Sequence, residues 1–478
     1  MMQKTDIREV FTLVPSITMT DGASPLLNFP GGAWAIDELH PALQEVLVRL
    51  CRDGGTEGEL ERIVSRGRGD LNVLYCCLEF FRQSGHLRRT LLYQGKKIAS
   101  LSPLNAPIPA RSEPFRKNGK YSFSRYAFFR SDNGAMVIET GLAGVRIELH
   151  APLVAGIALD LVSPVTCGNL ILRHPECAPE LVTAFISFLW EGWILEPNKA
   201  SRSLSGSPPV FWQFHDLLFH ARSRKGRHCE GFGGTYRFRD IIDPAPVVKR
   251  DNRLKRIPLF RPDINWLAHN DRSFTRVLEQ RRSVRELNRS AVISKKQLGE
   301  FLYRTARIRT VYAHPAGYYE VSSRPYPGGG ACYELEIYTV INTCRGLSPG
   351  LYHYCPQRHA LSTIAGKNAA VERLIHEAWT ALSGQSEIQV LFIYAARFKR
   401  IMWKYESIAY AVILKNVGVL MQTMNLVATA MDLGGCALGA GDADLFAEAA
   451  GTNYYDETSV GEFSLGTVGR QQPAHKTR

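Results

Sequence analysis

Hydrophobic and polar positions in the first 200 residues follow a pattern that occurs twice. The segment IDELHPALQEVLVRL at 36–50 is echoed by RIELHAPLVAGIALDL at 146–161, and the shared ELH motifs lie 110 residues apart. Farther along, LEFFRQSGHL at 78–87 is answered by SFLWEGWIL at 187–195. Each copy begins with alternating, strand-like positions, continues through two helical patterns and ends at a glycine before an apolar pair. The pattern predicts two related units.

This order of elements is typical of a small winged-helix unit. We therefore predict two winged-helix-like domains, at 1–105 and 115–200, although a chance likeness between two short α/β stretches would give the same echo. Neither second helix, GDLNVLYCCLEFFRQ or APELVTAFISFLWE, carries a row of Arg, Lys, Asn or Gln suited to base edges. The units are predicted to bind a peptide strand beside the wing and not to bind nucleic acid.

The most apolar stretch, residues 407–432, predicts a buried core helix. A membrane span would need about 20 nearly uninterrupted apolar residues, and this stretch is interrupted by Lys415, Asn416, Gln422 and Asn425. The opening MMQKTDIREV has no apolar region typical of a secretion signal. Ten cysteines form no CxxC pair, as expected for small buried side chains in a reducing compartment. We therefore predict a cytoplasmic protein.

The chain has 478 residues, of which 45% are hydrophobic and 22% charged, as in ordinary globular proteins. Its net charge of +13 allows an anionic partner, such as nucleic acid, an anionic cofactor or an acidic peptide, and is equally compatible with a basic surface that binds nothing. Residues 201–270, rich in Pro, Gly, Ser and basic residues, predict a connector. Within it, His215 and His220 are five residues apart, on different faces of a helix, so we predict no metal site. The turn EGFGGTY is weak evidence for a phosphate-binding site.

A basic cluster follows a predicted helix in the last third of the chain. Arg281, Arg282, Ser283 and Arg285 put three guanidiniums and a hydroxyl within five residues, and such groups bind phosphate through charge-assisted bonds. A solvated basic turn would have the same composition. Other motifs accompany this cluster: the Pro-Gly turn of RPYPGGGACYELEIYTV, the hairpin GLSPGLYHYCPQRHAL, a second glycine-rich turn in DLGGCALGAGDADLFAEAAG, and a last strand, EFSLGTVGR, that ends at Arg470.

Taken in order, these motifs resemble the FMN-binding nitroreductase fold over residues 270–478. More narrowly, RPYPGGGACYELEIY, GLYHY and WKYE are similar to the azoline oxidases of thiazole- and oxazole-modified peptide pathways, the cyanobactin oxidases among them. FHDLLFHARSRKGRH and GGTYRF extend the likeness to about residue 210, and the N-terminal repeat matches the precursor-recognition domains of that family less closely. The resemblance implies an α+β protein with a nitroreductase-like domain at 271–478, after the two winged-helix-like domains and the connector.

The resemblance also implies an FMN cofactor and the residues that hold it. Arg281, Arg282, Ser283 and Arg470 would bind the phosphate, and Arg285 would lie toward the polar edge of the flavin. Pro327, Gly328 and Gly329 would line the ring, and the backbone N–H groups of Gly439 and Ala440 would face its N5 edge; Gln422 and Leu438 complete the set. Many relatives carry a serine where this chain has Gly328, so one hydroxyl that would bond the flavin is missing.

Lys404 and Tyr405, in FKRIMWKYES, match a Lys-Tyr pair that the azoline oxidases carry beside the flavin. Removal of a Cα proton needs a base, and an ordinary lysine is protonated at neutral pH. Burial beside Ile401, Met402 and Trp403, near the N-terminus of the following helix, is expected to disfavour the ammonium and leave the amine able to act as a base. The sequence leaves open which member of the pair takes the proton first. A surface lysine beside a core tyrosine is the alternative.

The implied reaction removes a proton from Cα and a hydride from Cβ of an azoline, giving an azole, with the hydride passing to FMN and O2 reoxidising the flavin. The substrate would be a heterocycle-containing precursor peptide. The helix at 406–433 would form the core of a homodimer, with each flavin between two chains; no membrane, nucleic acid or metal is expected.

Two other functions stay open. One is a generic NAD(P)H-dependent nitro or quinone reductase, for which the N-terminal half would have no use. The other is a peptide-binding protein without flavin or enzymatic activity. The precursor, the ring positions and the choice between thiazoline and oxazoline are not fixed by the sequence.

Overall fold

The structure of the chain, a computed structural model, describes residues 6–20, 25–29, 32–198, 208–250, 256–385 and 387–469. It divides into an N-terminal unit, Met1–Glu230, and a C-terminal unit, Gly231–Arg478. The division falls inside the predicted connector. The predicted mixed α+β class is confirmed, because both units combine helices with antiparallel sheets.

The N-terminal unit alternates strands with groups of three helices. Its described strands are β1 (Ile7–Leu13), β2 (Thr18–Thr20), β3 (Leu26–Phe29), β4 (Gly32–Ala35), β5 (Leu87–Tyr93), β6 (Lys96–Pro103), β7 (Lys120–Phe123), β8 (Ala127–Asp132), β9 (Ala135–Thr140), β10 (Val145–Leu149), β11 (Val165–Thr166) and β12 (Leu195–Pro197). Its described helices are α1 (Pro41–Cys51), α2 (Glu57–Arg66), α3 (Leu71–Gln83), α4 (Pro152–Asp160), α5 (Cys167–Arg173), α6 (Pro179–Glu191) and α7 (Phe214–Arg222).

The two echoed segments adopt the same order of elements. In the first, α1, α2 and α3 are followed by β5, and in the second, α4, α5 and α6 are followed by β12. Local sequence explains the helix starts: Thr56 and Glu59 form a reciprocal capping box at α2, and a proline opens α1, α4 and α6. Each set of helices buries its own apolar core.

Three sheets organise the N-terminal unit. A six-stranded sheet runs in the order β1-β5-β6-β10-β9-β8, and the smaller sheets run β11-β7-β12 and β2-β3-β4. The hairpin β5–β6 therefore has β1 on one side and β10 on the other. By contrast, β4 is an edge strand, and all four of its residues are exposed.

The C-terminal unit is built on one large sheet. Its described strands are β13 (Arg256–Pro258), β14 (Thr310–Ala313), β15 (Glu320–Ser323), β16 (Leu335–Ile341), β17 (Gly350–Cys355), β18 (Ala360–Gly366), β19 (Val390–Arg397), β20 (Leu433–Leu438) and β21 (Glu457–Thr467). Its described helices are α8 (Ile264–Asn270), α9 (Phe274–Gln280), α10 (Lys295–Ala306), α11 (Ala369–Ala381), α12 (Phe398–Met402), α13 (Ala409–Ala430) and α14 (Ala443–Ala450).

The central sheet runs β13-β18-β17-β16-β19-β21-β20 and is covered on both faces. Along β19, Phe392 and Tyr394 face a core with α10 and α13, whereas Leu391 and Ile393 face a core with α11 and α14. This alternation follows from the two-residue period of a strand and explains why all of β19 is buried.

Helix α13 spans Ala409–Ala430, so it is shorter at both ends than the predicted 406–433. By length and composition alone it could cross a membrane. One of its faces, however, is buried protein core and includes the polar side chains of Asn416 and Asn425. The helix is therefore partly buried core, as the interrupted apolar pattern predicts.

Candidate active site

The glycine turn at residues 327–330 approaches the Lys404–Tyr405 segment closely. Gly330 has a φ of +59°, a left-handed conformation that favours glycine. A Cβ at this position would lie 2.6 Å from Lys404 Nζ and would collide with the Tyr405 hydroxyl. Only a residue without a side chain fits here, so the turn and the Lys-Tyr pair form one site.

The same turn is fixed to the middle of α13. The backbone N–H of Gly329 donates to Asn416 Oδ1 at 3.0 Å, and Asn416 Nδ2 donates to Glu334 Oε1 at 2.8 Å. Glu334 is fully buried, and burial raises the pKa of its carboxyl above the ordinary value. The other carboxyl oxygen, Oε2, has no hydrogen-bond partner among the described residues. Sequence reasoning treated Asn416 only as an interruption of the apolar helix and missed Glu334.

Lys404 is a buried amine, 8% exposed. Its Nζ donates to the Tyr319 hydroxyl at 2.7 Å and to the Gly330 carbonyl at 3.3 Å. The rings of Tyr236, Tyr319 and Tyr405 surround it, with centroids 5.3–5.7 Å from Nζ. The amine is enclosed by three aromatic rings, and it has no carboxylate partner in the described part of the chain. It is not a solvated surface lysine.

The position of Lys404 relative to the helices differs from the prediction. The residue follows α12, and its backbone N–H donates to the Ile401 carbonyl at 3.1 Å. Helix α13 begins only at Ala409. Lys404 therefore lies in the segment that joins the short helix α12 to α13, five residues before the long helix begins.

Tyr405 is half-buried, and burial, followed by Cys332, Tyr236 and Glu334, raises the pKa of its phenol to about 12. The phenol is therefore protonated at neutral pH. In this state Tyr405 can donate a hydrogen bond.

A strap formed by residues 231–242 covers the Lys404 segment. Gly233 and Glu406 exchange backbone hydrogen bonds at 2.9 and 3.2 Å, and the Tyr236 N–H donates to the Lys404 carbonyl at 3.2 Å. Sequence reasoning considered the Gly-rich part of this strap only as a phosphate turn. In the structure it forms a wall of the site and supplies the Tyr236 ring.

The predicted phosphate cluster runs beside the end of the central sheet. Helix α9 ends at Gln280. Residues 281–289 then run alongside β20 and β21 in space without forming a helix or strand. The Val284 N–H donates to the Gly435 carbonyl at 3.0 Å, and the Asn288 N–H donates to the Thr467 carbonyl at 2.8 Å. These bonds fix the basic segment against β20, which leads into the second glycine-rich turn.

Individual groups of this cluster lie near Cys436 of β20. A hydrogen bond with the Ser283 side chain and the charge of Arg285 both lower the pKa of the Cys436 thiol, but burial outweighs them and raises it. Within the described chain, no carboxylate is paired with Arg281 or Arg282. Two guanidiniums without acidic partners, together with a serine hydroxyl, suit a phosphate group.

The remaining predicted cofactor residues fall on several elements. Leu438 ends β20 and is buried, whereas Gly439 and Ala440 follow it and are exposed. Gln422 is exposed on α13, and Pro327 is exposed at the start of the glycine turn. Arg470 lies outside the described residues. The half-buried first glycine turn, the exposed second one and the basic segment fit a flat, anionic cofactor such as FMN.

A buried carboxyl group lies beneath the second glycine-rich turn. Glu462 of β21 is 3% exposed, and burial, followed by Glu377 and Asp442, raises the pKa of its carboxyl to about 8. A Cβ on Gly441 would lie 2.7 Å from Glu462 Oε1. Sequence reasoning missed this residue, because a single Glu in the strand EFSLGTV gives no sign of its burial.

The N-terminal unit exposes an apolar stripe on α3, formed by Val73, Cys76 and Phe80 at helical spacing. Trp34 of the edge strand β4 packs against Phe80, with ring centroids 5.0 Å apart, and both rings are more than 40% exposed. Among the described residues, an open strand edge therefore runs beside an apolar helix face. The β5–β6 hairpin offers no such edge, because β1 and β10 already occupy both sides.

The connector histidines considered in the sequence lie on one helix. His215 and His220 lie on α7, and the described residues include no group of three or more His, Cys, Asp or Glu side chains able to hold a metal ion.

Two family models match the chain. Residues 121–229 match the model described as cyanobactin oxidase ThcOx, and residues 278–467 match the nitroreductase family. The first match lies in the N-terminal unit, and the second covers the glycine turn, the Lys-Tyr pair and the basic cluster.

Individual relatives match part of the chain. The chain is 29% identical over 182 residues to “Putative nitroreductase MJ1384” of Methanocaldococcus jannaschii, a match that spans 37% of this chain and 82% of the relative. A solved E. coli microcin synthetase McbBCD complex with truncated pro-MccB17 bound is 20% identical, covering 53% of this chain and 91% of that one, with a TM-score of 0.31. A “putative nitroreductase in complex with FMN” from Desulfovibrio desulfuricans is 12% identical, covering 43% of this chain and 94% of that one, with a TM-score of 0.26.

Proposed function

We propose that the chain, in which residues 121–229 match the cyanobactin oxidase ThcOx model and residues 278–467 match the nitroreductase family, oxidises azoline rings in a ribosomally made precursor peptide to azoles, using FMN. The observation that carries this proposal is the buried Lys404 amine, held against the glycine turn beside Tyr405. A buried amine without a carboxylate partner, at a surface suited to a flat ring, is what removal of a carbon-bound proton requires.

The residues that would hold FMN are those of the basic cluster and the two glycine turns. Arg281, Arg282, Ser283 and Arg470 would bind the phosphate, Arg285 would face the polar edge, and the ring would meet Pro327, Gly328, Gly329, Gln422, Leu438, Gly439 and Ala440. When bound, FMN supplies an acceptor for the hydride that leaves Cβ, and its two electrons pass on to O2.

Within this site Lys404 would remove the Cα proton. Its Nζ donates to the Gly330 carbonyl at 3.3 Å, which keeps the amine at the glycine turn. Tyr405, whose phenol is protonated at neutral pH, would donate a hydrogen bond to the substrate or return a proton. Asn416 would hold the glycine turn in the conformation that accepts the ring.

We place this site at the interface of a homodimer whose core is α13. The exposed face of this helix carries Tyr410 and Leu414, each about 40% exposed, and large apolar groups at helical spacing suit a helix-to-helix contact. All ten cysteines are free, consistent with a reducing compartment, so we propose that the protein acts in the cytoplasm.

The N-terminal unit would hold the precursor peptide, with its two winged-helix-like domains at 1–105 and 115–200. We propose that an extended peptide segment adds to β4 and sets apolar side chains against the stripe on α3, because that edge is open and the hairpin edges are occupied. Docking remote from the reacting ring would raise the local concentration of substrate.

The docking site is tested by the double variant Trp34→Ala/Phe80→Ala. We expect KM for the full-length heterocyclised precursor to rise about tenfold or more, with kcat and FMN content unchanged. Leu172→Ala, which removes a side chain 79% exposed on α5, is the matched control and should change nothing. An unchanged KM in the double variant would exclude the β4 edge as the docking site.

Two assays separate this function from the alternatives left open by the sequence. Purified protein with flavin absorbance excludes the flavin-free peptide-binding protein. Turnover of a heterocyclised precursor in air without NAD(P)H supports azoline oxidation, whereas activity confined to nitro or quinone compounds with NAD(P)H would identify a generic reductase.

A further inference from the structure

The amine of Lys404 is held by an oxygen that the sequence did not bring into the site. Tyr319 immediately precedes β15, and its hydroxyl accepts the Lys404 hydrogen bond at 2.7 Å, the shorter of the two that Nζ donates. The ring is 8% exposed and stacks on His314, with centroids 4.7 Å apart. Tyr319 is therefore fixed both by packing and by the backbone hydrogen bond from His314 N–H to its carbonyl at 2.8 Å.

The direction of the hydrogen bonds matters for a base. A neutral lysine amine has two N–H donors and one lone pair. In the structure, the Tyr319 hydroxyl and the Gly330 carbonyl accept two hydrogen bonds from Nζ. When both N–H groups are used in this way, the lone pair occupies the remaining tetrahedral direction, and a substrate proton in that direction can be removed.

Tyr319 suits this role because it stays a neutral phenol. Burial, followed by Cys332 and Tyr236, raises the pKa of Tyr319 well above its ordinary value, and part of this effect is a side-chain hydrogen bond with Tyr236. A phenol that keeps its proton stays uncharged beside the amine, and its oxygen accepts the hydrogen bond from Lys404.

We infer that Tyr319 is a positioning residue that aims the Lys404 amine at the substrate Cα proton. The inference rests on the proposed function but concerns a residue for which that proposal needs no role. Tyr319 itself touches neither the substrate nor the cofactor in this account; it acts through Lys404.

The test is Tyr319→Phe, which keeps the ring, its stacking on His314 and its packing against Trp403, and removes only the hydroxyl. With a heterocyclised precursor, kcat should fall about tenfold, the effect of one lost hydrogen bond at the reacting group, while KM and FMN content stay within about twofold. Tyr318→Phe, a change of the same kind at the exposed neighbouring residue, should leave kcat unchanged.

A double-mutant cycle separates positioning from a structural role. If Tyr319 acts through Lys404, adding Tyr319→Phe to Lys404→Ala should cost nothing further in kcat. A purely structural tyrosine would lower kcat by the same factor in both backgrounds. Full additivity, or a kcat of Tyr319→Phe equal to that of the parent, would overturn the inference while leaving the proposed function in place.

A measurement without substrate makes the inference independent of the reaction. Acetic anhydride labelling followed by peptide mass spectrometry should modify Lys404 roughly threefold or more faster in Tyr319→Phe than in the parent chain, because the amine loses one of its two tethers. The exposed Lys415 is the internal reference. Equal Lys404 labelling would show that the hydroxyl does not hold the amine, whatever the activity of the parent chain.

Discussion

Asn416 Oδ1 accepts a hydrogen bond from the backbone N–H of Gly329 at 3.0 Å, which joins the middle of α13 to the glycine turn. Asn416 also donates to the buried Glu334. One amide side chain therefore forms hydrogen bonds with two groups on separate segments, the Gly329 N–H and the Glu334 carboxyl. It holds the glycine turn, which has no side chain to do so itself, close to Lys404.

Replacing Asn416 by alanine should weaken both the fold and the cofactor site. The change leaves the Gly329 N–H and the Glu334 carboxyl without this partner, so we expect a loss of about 1–3 kcal/mol in the free energy of unfolding. Thermal unfolding and FMN titration measure the two effects. Lys415→Ala, at the exposed neighbouring position, is the control; equal melting temperatures for the two variants would exclude a structural role of the amide.

Replacing Gly330 by alanine should abolish most activity. The left-handed conformation costs an L-residue roughly 1–2 kcal/mol, and the added Cβ would also press on Lys404 Nζ and Tyr405. We expect kcat to fall by at least about tenfold. Gly317→Ala is the control for the cost of the left-handed backbone, because Gly317 has a φ of +76° and no atom lies within 4 Å of its Cβ position. If the Gly330 variant were as active as the Gly317 variant, the close approach of Gly330 to Lys404 and Tyr405 would be contradicted.

The double variant Arg281→Ala/Arg470→Ala should lose FMN. Each charge-assisted phosphate contact is worth roughly 1.5–3 kcal/mol, so two losses weaken binding by more than about a hundredfold. Flavin absorbance after gel filtration and fluorescence titration measure the affinity. Arg289→Ala, at an exposed position beyond the cluster, controls for net charge; a double variant that stays fully yellow at micromolar concentration would remove the phosphate site.

Glu462 makes stability depend on pH. Its pKa of about 8 in the folded chain lies above the ordinary value of 4.5, so the folded protein binds more protons than the unfolded one between these values. The free energy of unfolding should therefore fall, by an amount on the order of a few kcal/mol, as the pH rises through this window. Glu462→Gln should flatten this dependence in melting curves from pH 5 to 8.5, and Glu448→Gln on the exposed face of α14 should not. Parallel curves for Glu462→Gln and the parent chain would refute the assignment.

The sequence predicted those parts of the protein whose structure depends on residues close together in the chain. The glycine turn and the Lys-Tyr pair have short-range patterns. Each repeat was predicted with two helices and has three, and the apolar run predicted as a buried core helix forms α13, which is buried on one face. Arg281 to Arg285 form a visible cluster, although the sequence does not show that Val284 bonds Gly435. Arg470 lies outside the described residues, so its place at the phosphate stays a prediction.

The missed residues enter the site through long-range pairing. Tyr236 reaches Lys404 from 168 positions upstream, and Tyr319 from 85. Glu334 resembles the polar position of an ordinary strand, since its partner Asn416 is 82 residues away. The long helix was predicted to begin at Glu406 but begins at Ala409, because the chain forms α12 first and leaves Lys404 in the segment between the two helices.

Oxidation of a heterocyclised precursor by the parent chain and by Lys404→Ala is the most direct test of the proposed function. The parent, loaded with FMN in air, should lower the peptide mass by about 2 Da per ring, the loss of two hydrogens. Lys404→Ala should keep its FMN and lose about 10²–10⁴ in rate, the usual effect of removing a general base. No mass change with the FMN-loaded parent chain would contradict azoline oxidation, and near-normal turnover by Lys404→Ala would contradict the assignment of the base.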